Sequence, residues 1–353
     1  PAATMPERGR WRLDAEHNPD PLSTAQASLV AFAESLAVGA RLRVVDRYLY
    51  VEQDAPARNT TPIAYAELRR RGDQDIVPDC ARALAAADAD GTLDAALAAY
   101  AHVYRRYYGE VSPSVSSARA ALDRLLVAAL DEPLVTHGEL LAGLGGATLE
   151  RDQLLWELGR GQATLHQYVH RFGDHAPSWD VATATDRERL DRVHALAAQL
   201  GAQSASPRAR HERAAARAEA AAAALHRRLD PAAAREFAAL WPTVRAVLPI
   251  AEDDDLLFLR AQATVRRALL AIRASDEVFE LTFAEARARD FSRAAERRAE
   301  RQAAARRLPP IAFTDGVGEW PAPRAHDVLR GAATFGHARG RAVVVRALAE
   351  VPD

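Results

Sequence analysis

The chain has 353 residues, of which 49% are hydrophobic and 6% aromatic, and its formal net charge is −2. Acidic and basic side chains nearly balance, which argues against a nucleic-acid or membrane partner attracted by bulk charge. The sequence contains no lysine, so arginine supplies all the basic side chains other than histidine, and the single cysteine, Cys80, excludes an internal disulfide. Alanine and leucine dominate the periodic runs and no signal-peptide or membrane-span pattern is present, so we expect a mainly α-helical, cytoplasmic protein.

A first polar cluster lies in a loop near the start of the chain. Residues 11–14 (WRLD) lead into residues 17–21 (HNPDP), where two prolines prevent regular structure before the next helix. Such loops carry function more often than helices do, which makes Trp11, His17 and Asn18 candidate site residues. The alternative is that His17 and Asn18 only form the hydrogen bonds of their own loop.

Two segments follow with clear periodicity. Arg41–Glu52, RLRVVDRYLYVE, alternates apolar and polar residues and predicts a strand in a small sheet. Leu93–Tyr108 predicts a helix that carries Tyr100 and Tyr104 on its apolar face. Such an aromatic stripe is typical of a core, and the alternative is the wall of a cavity for an aromatic ligand. Pro113 predicts a break in the chain before the next helix.

The middle of the chain offers two weaker signals and one stronger one. Gly143–Gly146 is not a phosphate loop, since no lysine follows and no strand precedes it. A helix predicted over Glu150–Phe172 places two histidines, at 166 and 170, one turn apart, but the required further metal ligands are absent from the pattern. The stronger signal is the polar loop after this helix, which contains Asp174, His175 and Trp179. We expect this loop to contact the His17 loop in the folded protein. The alternative is that each loop is only a helix terminus with its own hydrogen bonds.

The last third of the chain centres on a predicted helix at Glu252–Arg273, with acidic residues in its first turn. Val278–Leu281 alternates like a short extended segment, and 287–307 predicts a solvated helix. The Gly/Pro-rich stretch that follows predicts a linker, and the β-branched run Arg341–Arg346 predicts a strand.

Four motifs in this order resemble the middle region of phosphoenolpyruvate-utilising enzymes of the rifampicin phosphotransferase and phosphoenolpyruvate synthase type. They are W-x-x-D-x-x-H-N-P-D-P-L-S from Trp11, the tyrosines of Arg41–Glu52, R-F-G-D-H-x-P-S-W-D from Arg171, and D-x-V-F-x-L-T from Asp276. Gly331, Gly336 and Gly340 further resemble the opening of the swivelling phosphohistidine domain of that family.

The resemblance implies three segments. Residues 1–308 would form a helical domain that binds a small-molecule acceptor, residues 309–328 a linker, and residues 329–353 the start of a truncated swivelling domain with a C-terminal strand. The candidate substrate-binding residues are Trp11, His17, Asn18, Tyr48, Tyr50, Tyr100, Tyr104, Asp174, His175 and Trp179. Because small-molecule sites are usually apolar clefts with a few polar groups, we expect Tyr100 and Tyr104 to line the acceptor cavity and His17 and His175 to lie at its edge.

The resemblance also implies what lies outside the chain. In the family, an ATP-grasp domain and a phosphohistidine domain move phosphate from ATP to the acceptor, and Mg²⁺ serves the nucleotide. We therefore expect such domains as partners in cis or in trans, no cofactor or metal bound by this chain, no catalytic residue within it and no activity alone. The alternative, favoured by the alanine-rich helices and the low aromatic content, is a non-catalytic helical scaffold or protein-interaction module.

Overall fold

The computed structural model describes residues 5, 7–130 and 138–320, which form a mainly helical protein with one small antiparallel sheet. The predicted fold class is thereby confirmed. The strand predicted at 341–346 and the whole segment 329–353 lie outside the described residues, as do the acidic side chains at 253–255.

Helices account for most of the described chain. Their bounds are α1 Thr24–Ser35, α2 Tyr65–Arg71, α3 Val77–Asp90, α4 Leu93–Arg106, α5 Ser112–Ala129, α6 Ala147–Gly159, α7 Leu165–Phe172, α8 Leu190–Gly201, α9 Pro207–Arg228, α10 Pro231–Val247, α11 Asp253–Ile272, α12 Phe283–Ala288 and α13 Ala294–Ala304. Short π-helical turns occupy Gly72–Ile76 and Tyr107–Val111, and 3₁₀ turns occupy Leu248–Glu252 and Asp276–Glu280. None of the helices in the described ranges is long and apolar enough to cross a membrane.

The sheet joins the two ends of the described chain. Its strands are β1 Arg10–Leu13, β2 Leu42–Val45, β3 Tyr48–Glu52, β4 Ala312–Thr314 and β5 Val317–Glu319, in the spatial order β2-β3-β1-β4-β5. Trp11 at the centre pairs with Glu52 on one side and Phe313 on the other. The core of the sheet is Trp11, Tyr48, Tyr50 and Phe313 with Met5.

Two hairpins depart from what the sequence predicted. Arg41–Glu52 is a pair of strands, since Asp46 and Arg47 both take positive φ and close a two-residue turn. The predicted linker at 309–328 contains the β4–β5 hairpin, closed by Asp315-Gly316 with positive φ at both residues. An Asp-Gly pair flanked by short apolar runs predicts a hairpin, but the Gly/Pro-rich composition of this stretch led to its assignment as a linker.

The main core forms where α4 packs between α3 and α11, while α5 packs against α10. A smaller core lies between α6, α7 and α8 and contains Leu155, Tyr168, Phe172 and Val193. Phe258 on α11 is fully buried at the centre of the main core. This helix, which was predicted at Glu252–Arg273, is therefore the element against which the other helices of the main core pack.

Four local predictions were wrong. The single helix predicted at 150–172 is divided into α6 and α7, because Gly161 takes a φ of +70° and closes the first helix. Pro113 does not break the chain, since it lies in the first turn of α5, where proline is tolerated. Val278–Leu281 is mostly a 3₁₀ turn rather than extended, and the helix predicted at 287–307 begins only at Ala294, after Arg289 takes a left-handed conformation.

Candidate functional site

A row of tyrosines on α4 forms one wall of a cavity. Tyr100 and Tyr104 lie one turn apart, and the π-helical turn that follows widens the helix so that Tyr107 and Tyr108 both contact Phe258. The ring centroids of Tyr100 and Tyr104 lie 6.1 and 6.0 Å from that of Phe258. Aromatic side chains in such edge-to-face contact make a rigid apolar surface.

The cavity in front of this wall has a volume of about 340 Å³. Its other sides come from α1, from strands β2 and β3, from the loop after β1 and from Trp179. We call this space the tyrosine cavity. Its lining includes Tyr100, Tyr104, Tyr108, His17, Trp179 and Gln262. Small-molecule sites usually have this form, a mostly apolar cleft with a few polar groups.

The polar side of the tyrosine cavity is the turn that follows β1. The Asp14 carboxylate lies 2.8 Å from His17 Nδ1 and accepts a hydrogen bond of 2.8 Å from Asn18 Nδ2. Burial pushes the pKa of Asp14 upward, but the hydrogen bonds and charge of His17 and the Asn18 amide outweigh it and hold the pKa below its ordinary value. Asp14 is therefore a carboxylate at neutral pH.

Trp179 connects the two polar loops that the sequence singled out. Its backbone N–H donates to His17 O at 2.8 Å, and its ring centroid lies 4.1 Å from the His17 ring. On the other side the indole stacks on Phe258, with centroids 5.6 Å apart and planes 14° apart. The imidazole, the indole and the phenyl ring thus form a continuous stack at the edge of the tyrosine cavity.

The Trp179 loop is anchored on both sides. Asp180 accepts hydrogen bonds of 2.6 Å from the backbone N–H and the hydroxyl of Ser23, the residue that caps α1. Arg266 on α11 donates to Val181 O at 2.9 Å. The loop therefore holds Trp179 through contacts to α1 and α11, the two helices that flank the cavity.

Two buried amide oxygens distinguish the lining of the tyrosine cavity. Asn18 and Gln262 are 2% and 5% exposed, and neither Asn18 Oδ1 nor Gln262 Oε1 has a hydrogen-bond partner among the described residues. Gln26, another buried amide in the lining, differs because its Oε1 accepts from Val181 N at 3.2 Å. Most buried polar groups in proteins are paired, so two unpaired acceptors on residues of one cavity lining require an explanation.

The structure separates the predicted site residues into two sets. His17, Asn18, Tyr100, Tyr104 and Trp179 come together in the lining of the tyrosine cavity. The remaining predicted residues, Trp11, Tyr48, Tyr50, Asp174 and His175, do not line it.

Strand geometry explains why three aromatic residues lie elsewhere. Alternate residues of a strand face opposite sides, so Leu49 and Val51 of β3 line the tyrosine cavity while Tyr48 and Tyr50 face the sheet core with Trp11. The Tyr50 hydroxyl donates to Pro310 O at 2.9 Å, and burial raises the pKa of this phenol above its ordinary value. These side chains hold the sheet together.

Asp174 and His175 belong to a neighbouring polar region. His175 Nδ1 lies 3.2 Å from Asp186, a carboxylate that is 1% exposed and also accepts from Tyr168. Asp174 accepts from Arg267 at 2.9 Å. Together they line a small cavity of about 50 Å³ that is separate from the tyrosine cavity. The prediction that His17 and His175 edge one common cavity was therefore wrong for His175.

Several residues of the lining were missed by sequence reasoning. Asp14 precedes His17 by three residues, and this spacing within a turn was the available signal for their pairing. Gln262 lies one helical turn after Phe258 on α11, where a polar residue between apolar neighbours could have been noticed. Within the described residues, no group of three or more His, Cys, Asp or Glu side chains is placed to hold a metal ion.

Comparison with known proteins does not identify a family for this chain. No protein-family model matches the chain, and no curated protein matches it. The assignment of a function therefore rests on the motifs of the sequence and on the site itself.

Proposed function

We propose that the tyrosine cavity binds a small organic molecule with an apolar or aromatic body, and that this molecule accepts a phosphoryl group. The observation that carries the proposal is a cavity of about 340 Å³ whose tyrosine wall faces the hydrogen-bonded Asp14–His17 pair. The volume lies in the range of about 300–1,000 Å³ that is usual for small-molecule sites.

The Asp14–His17 pair supports proton transfer from an acceptor hydroxyl, which would give this chain a catalytic residue that was not expected from the sequence. A carboxylate beside Nδ1 favours the tautomer with hydrogen on Nδ1, which leaves Nε2 as the basic nitrogen. In the proposed step, the hydroxyl proton passes to His17 Nε2 while the oxygen forms a bond to phosphorus. The P–N bond of a phosphohistidine in another domain breaks, and its electron pair returns to that donor histidine.

The proposal places this chain within a larger enzyme. An ATP-grasp domain would charge the phosphohistidine domain with ATP and Mg²⁺, and both domains would act in cis or in trans in the cytoplasm. What supports this assignment is that two of the motifs behind the resemblance, around His17 and Trp179, supply loops that meet at the cavity. The chain alone would bind the acceptor and not phosphorylate it.

A non-catalytic interaction module is the second candidate. Large apolar side chains are exposed beside the β4–β5 hairpin, namely Leu308, Ile311, Val317 and Trp320. Exposed apolar groups in one region are typical of docking surfaces. If docking were the only function, Val317→Ser with Trp320→Ser would abolish association with a neighbouring domain in sedimentation velocity, and filling the tyrosine cavity would change nothing.

Filling the cavity tests the binding proposal. Ala33 on α1 lines the tyrosine cavity, whereas Ala96 on α4 is equally buried and lies in packed core. Ala96→Phe should cost about 1–3 kcal/mol of unfolding free energy by overpacking, and Ala33→Phe should cost less because the ring has space. With 2-phenylethanol as probe, saturation-transfer NMR should give a signal for the native chain and none for Ala33→Phe. An unchanged signal in Ala33→Phe would place the probe elsewhere and contradict the proposal.

The phosphoryl-transfer part has its own test. The coding sequence on both sides of residues 1–353 should encode ATP-grasp and phosphohistidine motifs. In that full-length enzyme, His17→Asn should lower acceptor phosphorylation by about 10²–10⁴-fold and leave phosphorylation of the donor histidine by ATP unchanged. Absence of both motifs would overturn phosphoryl transfer and leave the cavity test standing.

A further inference from the structure

We infer that the molecule bound in the tyrosine cavity is a protonated amine, whose N–H groups donate to the amide oxygens of Asn18 and Gln262. This inference rests on the proposed function and names the substrate class of the same site. Three properties of the lining lead to it, namely unpaired acceptors, charge and aromatic faces.

The first property is the pair of buried acceptors. Asn18 Nδ2 donates to Asp14 Oδ2, which fixes the amide orientation and leaves Oδ1 on the other side of the group. Asn18 Oδ1 and Gln262 Oε1 have no partner among the described residues, although both side chains are more than nine-tenths buried. A buried acceptor without a donor is costly, and a ligand that brings N–H or O–H groups removes this cost. The lining thus requires a donor, not an acceptor.

The second property is charge. Lys and Arg together number 46 of the 353 residues, yet none of the described residues that line the tyrosine cavity is basic apart from His17. Among the described residues of this lining, Asp14 is the acidic side chain. With His17 in the neutral form that the proposed proton transfer requires, this carboxylate attracts a cation and repels an anion. An ammonium group is therefore favoured over a carboxylate or phosphate on the ligand.

The third property is the arrangement of aromatic rings. Tyr100, Tyr104, Trp179 and Phe258 line the same space. A cation within about 6 Å of such ring faces is attracted by their negative faces, and this attraction grows when water is excluded. A neutral alcohol has a single O–H donor for the two amide oxygens, and its hydroxyl would gain neither the ionic attraction of Asp14 nor the cation–π attraction of the rings. Amine binding uses all three properties together.

Three probes of similar shape and different charge test the inference. We choose 2-phenylethylamine, 2-phenylethanol and 3-phenylpropionate, each titrated calorimetrically into the native chain at pH 7 and constant ionic strength. The amine should bind at least about tenfold more tightly than the alcohol, as expected for hydrogen bonds from a charged donor, and the carboxylate should bind most weakly.

Two variants of α11 identify the group responsible. Gln262→Leu removes an unpaired oxygen and should weaken amine binding by about 10- to 100-fold, with a smaller effect on the alcohol. Thr264→Val is the control on the same helix, since Thr264 is also buried but lies outside the lining of the tyrosine cavity, and its hydroxyl donates to Arg260 O at 3.1 Å. Its amine affinity should stay within about threefold of the native value.

The outcomes separate the two proposals. Amine binding that Gln262→Leu weakens by about tenfold or more and Thr264→Val retains supports the inference. Alcohol or carboxylate binding equal to or tighter than amine binding overturns the amine assignment and leaves the cavity as a small-molecule site. Amine binding that Gln262→Leu does not change overturns the role of the unpaired oxygens. Binding of none of the three probes overturns both the inference and the proposed cavity function.

Discussion

Replacement of Arg266 by alanine should destabilise the protein and loosen the Trp179 loop together. The guanidinium of Arg266 is 7% exposed and makes hydrogen bonds of 2.8 and 2.9 Å to the two oxygens of Glu188. A third bond of 2.9 Å reaches Val181 O, two residues after Trp179. Arg266→Ala would remove the guanidinium that donates to Val181 O and to the Glu188 carboxylate.

The size of the effect follows from what remains after the substitution. Removing one partner of a buried ion pair usually costs about 3–5 kcal/mol. Glu188 is 35% exposed and keeps hydrogen bonds of 2.9 Å from the backbone and hydroxyl of Thr185, so part of the cost is relieved. We therefore expect a loss of about 2–3 kcal/mol for Arg266→Ala. The exposed pair of Arg69 with Asp73 provides the control, and Arg69→Ala should cost about 0.3–0.5 kcal/mol.

Urea unfolding followed by tryptophan fluorescence measures both variants, and the native-state spectrum reports on the loop. Burial raises the pKa of Glu188, but the hydrogen bonds of Arg266 and Thr185 outweigh it and leave the pKa below 4.5. The ion pair thus contributes stability that is complete above pH 4.5 and declines as the pH falls below that value. Arg266→Ala should reduce this acid sensitivity. Equal losses in Arg266→Ala and Arg69→Ala would refute the reasoning.

Three further predictions concern other parts of the fold. A Cβ on Gly159 would lie 1.9 Å from Ala197 O, so Gly159→Ala should separate α6 from α8 and lower the thermal midpoint by several degrees, and an unchanged midpoint would contradict this packing. Burial raises the pKa of the Cys80 thiol to about 12, so the native chain should resist a thiol reagent at pH 8 until urea unfolds it. The Arg297 guanidinium lowers the pKa of Glu285 from 4.5 to about 2, so stability is lost between these pH values, and a Glu285→Gln variant with the native acid profile would rule out this contribution.

Hydrophobic periodicity accounts for most of the fold that the sequence could predict. The apolar stripes of the long helices and the alternation of 41–52 are local features, which is why α4, α11 and the β2–β3 region were found. The breaks were harder, since the division of α6 from α7 depends on a left-handed glycine at 161, and the β4–β5 hairpin becomes stable only by pairing with β1.

The candidate site was predictable to the extent that its residues lie in unusual loops. The polar turn at 14–18 and the loop around Trp179 stood out by composition, and they meet in space. Tyr48 and Tyr50 were assigned to the site although strand alternation turns them toward the sheet core. The pairing state of each amide oxygen, which separates Gln262 from Gln26, depends on tertiary contacts that no local pattern encodes.

Binding of a small aromatic molecule in the tyrosine cavity underlies both proposals. A crystal structure of the native chain soaked with 2-phenylethylamine tests this directly. We predict density for the ring against Tyr100 and Tyr104, with the nitrogen about 3 Å from both Asn18 Oδ1 and Gln262 Oε1. Density only at another surface, with the tyrosine cavity holding ordered water bonded to both oxygens, would contradict the account.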